Sequence, residues 1–182
     1  MSTLQGHFLI ASPALVDPNF ARTVVLMVQH DAEGSLGLVL NRPTPVSIRS
    51  VWRQIAQADC DRDEPLFEGG PVEGPLMALH TDADRSEREI LPGLHWATQK
   101  VLIDSLVLDD KARVRLYAGY AGWGGGQIER EIVEQSWLSV PATTELVFHD
   151  GDDLFRAVTA YVQQSVLGLS ALPPAPPDVR MN

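Results

Sequence analysis

The residues most suggestive of chemistry form a glycine-rich stretch, GYAGWGGGQIEREI, from Gly119 to Ile132. A strand-like segment precedes the glycines and a helix-like segment follows them, an order that many phosphate-binding loops share. The dinucleotide fingerprint requires glycine where Gln127 stands, and the P-loop requires Lys and Ser or Thr where Gly125 and Gly126 stand. Both phosphate-binding motifs are therefore incomplete, because residues they require for binding the phosphate are missing.

The charges that follow the glycines also argue against a phosphate. Glu129 and Glu131 fall in the first turns of the expected helix, where each carboxylate stabilises the helix by about 0.3–1 kcal/mol and repels an anion. We interpret the glycines as a tight corner between strand and helix. Trp123 has two interpretations: its indole folds back onto the core, which we favour, or it forms part of a binding surface.

Two further motifs place polar residues beside turns. LNRP puts Asn41 and Arg42 at the end of an expected strand, and FEGGP puts Glu68 beside Gly69 and Gly70. A guanidinium in such a place binds a carboxylate or phosphate through two hydrogen bonds, although an ion pair with one of the many acids is the simpler expectation. A buried pair between Arg42 and Glu68 would lock the fold, whereas a solvent-lined pair would be a site.

The other titratable residues do not form a known catalytic or metal-binding pattern. The five histidines lack the spacing of a zinc site, none pairs with the single cysteine, and no GxSxG motif is present. The sequence therefore predicts no catalytic residue, no metal site and no cofactor.

Composition limits the class of protein. The 182 residues carry a net charge of −10 at pH 7, and a hydrophobic share of 45% suits one globular domain with a sizeable core. No basic cluster offsets the acidic charge, so we expect no direct binding to nucleic acid or to a membrane surface. One cysteine, no signal-peptide pattern and no apolar stretch of about 20 residues favour a soluble, cytoplasmic protein.

Hydrophobic periodicity predicts an α+β fold with a mixed sheet rather than a regular βαβ winding. We expect strands at 7–12, 23–29, 36–41, 76–81, 94–99, 112–121 and 145–150. Helices are expected at 48–55 after a Ser47 cap, at 100–108, at 126–138 and at 152–167. Loops are expected at 59–65, 67–75 and 82–89, and the proline-rich tail, 169–182, is expected to be disordered.

Together the motifs resemble the bacterial AlgH/YqgE family. GHFLIASPALVDPNFARTVVLMVQH, GLVLNRP, FEGGPV and GYAGWGGGQIEREI occur in the family's order with similar gaps, within Gly6 to Phe148. Ser35 and Ile128 depart from the commoner Ala and Leu without changing any chemistry. The resemblance implies one domain, residues 1–168, built on a mixed, strongly bent, barrel-like β-sheet flanked by helices.

The resemblance implies no particular enzyme activity, and the family carries the label of a transcriptional regulator. Because the acidic charge argues against direct DNA contact, we expect a non-enzymatic role in regulation or partner binding that acts through a protein partner. The motif residues expected to form the binding surface are Asn41, Arg42, Glu68, Gly69, Gly70, Trp123, Gln127 and Glu129.

We expect these motifs to converge on one shallow polar surface around Trp123. The alternative is an enzyme that acts on a small anionic substrate, with Glu68 or Glu129 as acid or base and Arg42 holding the anion. That alternative requires a pocket in which Arg42 faces a carboxylate of raised pKa.

Overall fold

The structure, a computed structural model, describes residues 3–56, 59–149 and 151–167, and the proline-rich tail lies outside this part of the chain. The strands are β1 (His7–Ala11), β2 (Val24–His30), β3 (Gly34–Val39), β4 (Pro43–Ser47), β5 (Pro65–Glu68), β6 (Met77–His80), β7 (Arg88–Leu91), β8 (Leu94–Ala97), β9 (Val114–Ala118), β10 (Ala121–Gly124) and β11 (Trp137–Pro141). The α-helices are α1 (Ile48–Ile55), α2 (Lys100–Val107), α3 (Gln127–Val133), α4 (Thr144–Val147) and α5 (Gly151–Leu167). The predicted α+β class is confirmed.

The strands form two sheets. The first has the order β10-β3-β2-β1-β11, and all its neighbouring pairs are antiparallel. The second has the order β4-β5-β9-β6-β8-β7, and its single parallel pair, β5–β9, makes it mixed. The chain passes between the sheets twice, from β3 to β4 and from β9 to β10.

Side-chain alternation along the strands separates three apolar layers. Phe8 and Ile10 of β1 face the space between the sheets, where they pack with residues of both sheets and with α5. Leu9 and Ala11 face the opposite side of the first sheet, where α3 covers them. A third cluster, between the second sheet and helices α1 and α2, contains Trp52, which is 2% exposed.

The segment 59–65, which the sequence assigned to an exposed loop, is partly buried. Cys60 packs in the cluster under α1 and α2, and Arg62 is 4% exposed. The Arg62 guanidinium donates to the carbonyl oxygens of Leu106 and Val107 at the end of α2, and to Ala112. The segment is a loop as predicted, but the sequence missed these two buried side chains. A helix C-terminus needs donors for its last carbonyls, and a distant arginine supplies them here.

Three other element predictions were wrong. A strand was predicted at 145–150, but residues 145–147 belong to the helix α4. The Thr143 side chain caps this helix by accepting the N–H of Leu146. The helix expected at 126–138 ends at Val133, and its last residues belong to β11. Strands β4, β5, β7 and β10 were not predicted. They form because pairing with neighbouring strands outweighs their poor local strand propensity.

The remaining expected strands and helices are confirmed within one to three residues at each end. Ser47 caps α1 as predicted, since its Oγ accepts the N–H of Ser50 at 3.3 Å. Within residues 3–56, 59–149 and 151–167, no helix is both long enough and apolar enough to cross a membrane.

Candidate functional site

The sequence motifs meet where the chain crosses between the sheets, at a place we call the seam. The N–H of Val39 donates to the carbonyl of Gly69 at 2.8 Å, and the N–H of Gly69 donates to Ala118 at 2.9 Å. The N–H of Glu68 donates to the carbonyl of Arg42, also at 2.9 Å. The segment FEGG therefore lies between the two crossing segments and joins both by backbone hydrogen bonds.

The seam leaves no room for side chains at two glycines. A Cβ on Gly69 would come well inside 3.0 Å of the carbonyl oxygen of Gly119. A Cβ on Gly70 would overlap the backbone of Tyr120 in the same way. Close backbone approach, rather than flexibility around a ligand, explains this glycine pair.

The polar residues of LNRP hold neighbouring loops. Asn41 accepts the N–H of Val24 at 2.9 Å and donates to the carbonyl of Arg22 at 2.9 Å, so its amide fixes the start of β2. The Arg42 guanidinium donates to the carbonyl of Pro18 at 2.8 Å. Among the described residues, Arg42 and Glu68 are linked by the backbone hydrogen bond at the seam. Their side chains do not form the buried pair that would have locked the fold. Glu68 itself is exposed.

Trp123 folds back onto the core, which was the favoured interpretation. Its side chain is 5% exposed and stacks on Phe20 with ring centroids 6.0 Å apart. Its indole N–H donates to Glu131 at 3.1 Å, and the indole of Trp137 donates to the same carboxylate at 2.9 Å. Gln127 also donates to Glu131, at 2.8 Å, so three side chains share one acceptor residue.

Glu129 pairs with a buried histidine. His30 Nε2 and Glu129 Oε1 are 3.1 Å apart, and His30 Nδ1 accepts the N–H of Leu4 at 3.1 Å. Because a backbone N–H only donates, the hydrogen of the neutral ring lies on Nε2 and points to the carboxylate. Both ring nitrogens are therefore engaged, and the pair ties the N-terminal segment to α3.

The motif residues do not all gather in one place: Asn41 bonds to Val24 at the start of β2, whereas Glu129 bonds to His30 at the end of that strand, about 20 Å away. Trp123 is buried and is not the centre of a polar surface. Arg42 and Trp123 both contact the loop between β1 and β2, the first through Pro18 and the second through Phe20. Most of the polar groups in the motifs already bond within the fold. Partner binding by the exposed members, such as Glu68, stays a prediction.

A different surface has the character of a binding site. A groove of about 630 Å³ runs beside β11, between the end of α3 and the first half of α5, and we call it the β11 groove. Its lining is mainly apolar, and the side chains that matter below are Ile10, Ile132, Trp137, Leu138, Ser139 and Phe155.

Two residues of the β11 groove have surroundings that are unusual in a protein surface with no binding partner. Leu138 is 47% exposed, although it stands opposite Ile10 in the β1–β11 ladder, on the face that packs against the core. The Ser139 hydroxyl is buried and has no hydrogen-bond partner among the described residues. Among the described strands, β11 pairs only with β1, so its outer edge presents unpaired backbone groups.

Sequence reasoning missed this groove because it placed Trp137 and Leu138 in a helix. One signal was available: Pro141 disfavours helical geometry at Val140, which favours an extended segment after the helix. The contribution of Phe155 depends on how α5 packs, and periodicity alone does not give that.

A second buried polar pair lies far from the groove, on the outer face of the second sheet. His80 and His95 stand opposite each other on β6 and β8, with ring centroids 5.8 Å apart. Burial, with the neighbouring His95, lowers the pKa of His80 to about 4. His80 Nδ1 accepts the N–H of Asp82 at 3.3 Å, which suits a neutral His80 ring, and His95 Nδ1 lies 3.1 Å from Ser86 Oγ.

Comparison with known proteins gives the family. Residues 8–166 match the family model described as DUF179, AlgH-like. The UPF0301 protein CT0663 of Chlorobaculum tepidum is 42% identical over 151 residues, covering 80% of this chain and 79% of that protein. The UPF0301 protein of Chlorobium chlorochromatii is 34% identical over 180 residues, covering 96% and 94%.

Solved structures agree with the sequence comparison. The solution structure of AlgH from Pseudomonas aeruginosa is similar, with a TM-score of 0.75 and 30% identity over 94% of this chain and 96% of that one. The crystal structure of DIP2367 from Corynebacterium diphtheriae has the same fold, with a TM-score of 0.73 and 23% identity over 88% and 87% of the chains. The resemblance inferred from the motifs is confirmed, and the chain belongs to the AlgH-like family.

Proposed function

We propose that the protein acts by binding a protein partner, and that an extended segment of the partner lies in the β11 groove. The observation that carries this proposal is the exposed apolar lining beside an unpaired strand edge. Contiguous exposed apolar surface marks interaction sites, and an open edge accepts an added strand through main-chain hydrogen bonds. A regulatory role, which the resemblance implies, would then operate through this partner.

The charges near the groove indicate the chemistry of the partner segment. Glu134, which follows α3 and precedes the groove residue Gln135, is exposed, and the whole chain has a net charge of −10, while Arg22 lies over the ring of Phe155. An acidic surface favours approach of a basic segment. The fitting ligand is therefore an extended segment with apolar side chains and flanking Lys or Arg.

A charge substitution within the groove tests the proposal. Leu138→Asp places a carboxylate in the lining, and its 47% exposure lets the fold accept the change. Val101→Asp is the matched control, since Val101 is 68% exposed on α2, which covers the second sheet. Tagged wild type and both variants are expressed in the native cell, and co-purified proteins are quantified by mass spectrometry.

We expect one protein to be recovered with the wild type and with Val101→Asp, and at least about tenfold less with Leu138→Asp. Equal recovery with all three chains would contradict the proposal. Thermal melts of the three chains, followed by circular dichroism, check that Leu138→Asp remains folded.

A further inference from the structure

The chain continues beyond α5 with a segment of distinct chemistry. Residues 168–182, GLSALPPAPPDVRMN, follow Leu167 and lie outside the family match, which ends at residue 166. Two leucines, Leu169 and Leu172, precede a run of four prolines. The groove side chains all lie within residues 8–166, the region that the family model matches.

We propose that residues 169–177 of the tail occupy the β11 groove of their own chain and are displaced by the partner. This inference rests on the proposed function, because it makes the tail a competitor for the same site. The proposal differs from the sequence-based expectation that the tail is disordered. That expectation rests on the composition of the tail, which contains no information about a complementary groove elsewhere on the fold.

The tail is long enough to reach the groove. Thr159 lines the groove, and α5 ends eight residues later at Leu167, which corresponds to about 12 Å of helix. The five residues 168–172 extend up to about 17 Å, so Leu172 can return to the level of Thr159. A short tether gives an effective concentration on the order of millimolar, so weak contacts are enough to hold the segment.

The chemistry of the tail fits the lining. Proline-rich segments adopt the polyproline II conformation before binding, lose little entropy, and dock in grooves lined by aromatic and apolar side chains. Phe155 and Leu138 provide such a lining. Polyproline II carbonyls make no internal hydrogen bonds, so they are free to accept from the unpaired N–H groups at the outer edge of β11.

Hydrogen exchange of the full-length chain, measured by mass spectrometry, tests the inference. The amides of residues 169–172 are compared in the wild type, in Leu138→Asp and in Leu172→Asp. Leu172 lies outside the described fold, so its substitution does not depend on the groove variant staying folded. Val101→Asp is again the control.

We expect these amides to exchange at least about tenfold more slowly in the wild type and in Val101→Asp than in either leucine variant. Exchange at the rate of an unstructured peptide in the wild type would overturn the inference, as would slow exchange that persists in both leucine variants. Slowing that increases with protein concentration would also overturn it, because a second copy would then be the occupant.

The outcome can be separated from that of the proposed function. Unprotected tail amides together with Leu138-dependent partner recovery would overturn the tail inference and leave the partner proposal standing. Protected tail amides together with equal partner recovery from all variants would support the tail inference and contradict the partner proposal.

Discussion

Glu131 shows how one residue explains a motif that looked like a ligand site. Its carboxylate accepts from Trp123, Gln127 and Trp137, which lie four to eight residues from it in the chain, so the glycine-rich stretch carries its own acceptor. A buried indole N–H needs such an acceptor, and a carboxylate on the covering helix provides it. The polar residues near the glycines therefore stabilise the fold.

Removing this acceptor is expected to destabilise the protein. Glu131→Ala leaves the indole N–H groups of Trp123 and Trp137 without their acceptor in a largely buried place. We expect the free energy of unfolding in urea to fall by about 2–4 kcal/mol. Glu134→Ala, on the same helix but exposed, is the control and is expected to cost under about 0.5 kcal/mol. Equal losses in the two variants would show that Glu131 has no special role.

His80 gives the protein a pH dependence. Its pKa in the folded state, about 4, lies below the ordinary value of 6.5, so the unfolded state takes up the proton first as pH falls. The stabilisation is complete above pH 6.5 and is lost between pH 6.5 and about 4, an amount of about 3 kcal/mol. Asp82 opposes the shift, whereas His95 and Arg85 reinforce it.

Unfolding free energies measured from pH 7 to pH 4 check this expectation. His80→Gln keeps an acceptor for Asp82 and removes the titration, so its stability should decline less over that interval than that of the wild type. Parallel curves for the two proteins would mean that His80 is not the group responsible.

At the scale of elements, the seam explains why separate sequence motifs occur together. LNRP and GYAG are the places where the chain crosses between the sheets, and FEGG lies between the crossings. Glycine at 69 and 70 lets the three backbones meet. These crossings are the two places where the chain joins the sheets.

A methyl group at the seam is expected to force the sheets apart. Gly69→Ala brings a Cβ against the Gly119 carbonyl, where only backbone movement can relieve the overlap. We expect a loss of about 2–4 kcal/mol in unfolding free energy, as for other overpacked sites. Gly122→Ala, in the neighbouring strand, meets only a Tyr120 side-chain atom at 3.4 Å and should change stability by under about 1 kcal/mol. If Gly69→Ala were as stable as Gly122→Ala, close packing at the seam would be disproved.

The sequence predicted the strands and helices that have a clear hydrophobic periodicity. It missed strands that form mainly because they pair with a neighbouring strand. β2 and α5 carry clear patterns and were predicted. β10 contains three small residues and exists because β3 holds it in register from Gly34 to Gly37. Arg62 looked exposed within an acidic loop, yet it caps α2 from about 45 residues away. Long-range partners of this kind leave no local signal.

One part of the candidate site was likewise predictable from the sequence and another part was not. The motif residues were found from the sequence because their types and order are distinctive. The β11 groove was not found, because its lining comes from β1, the end of α3, β11 and α5, and no single segment contains enough of it. A groove formed by four elements becomes visible only when their packing is known.

At the scale of the whole molecule, helices cover the outer faces of both sheets, and the open edge at β11 lies between α3 and α5. Helix α3 covers the first sheet and helices α1 and α2 cover the second, while α5 closes the space between the sheets. The partner is therefore expected to engage the molecule at one end of the first sheet rather than on a flat face.

Site-specific photocrosslinking in living cells tests this account most directly. A photoreactive phenylalanine analogue at position 138 lies in the β11 groove, and the same analogue at position 101 lies on α2 as a control. We predict a crosslinked adduct with one other protein from position 138 and none of that adduct from position 101. The same adduct from both positions, or no intermolecular adduct from position 138, would contradict partner binding in the groove.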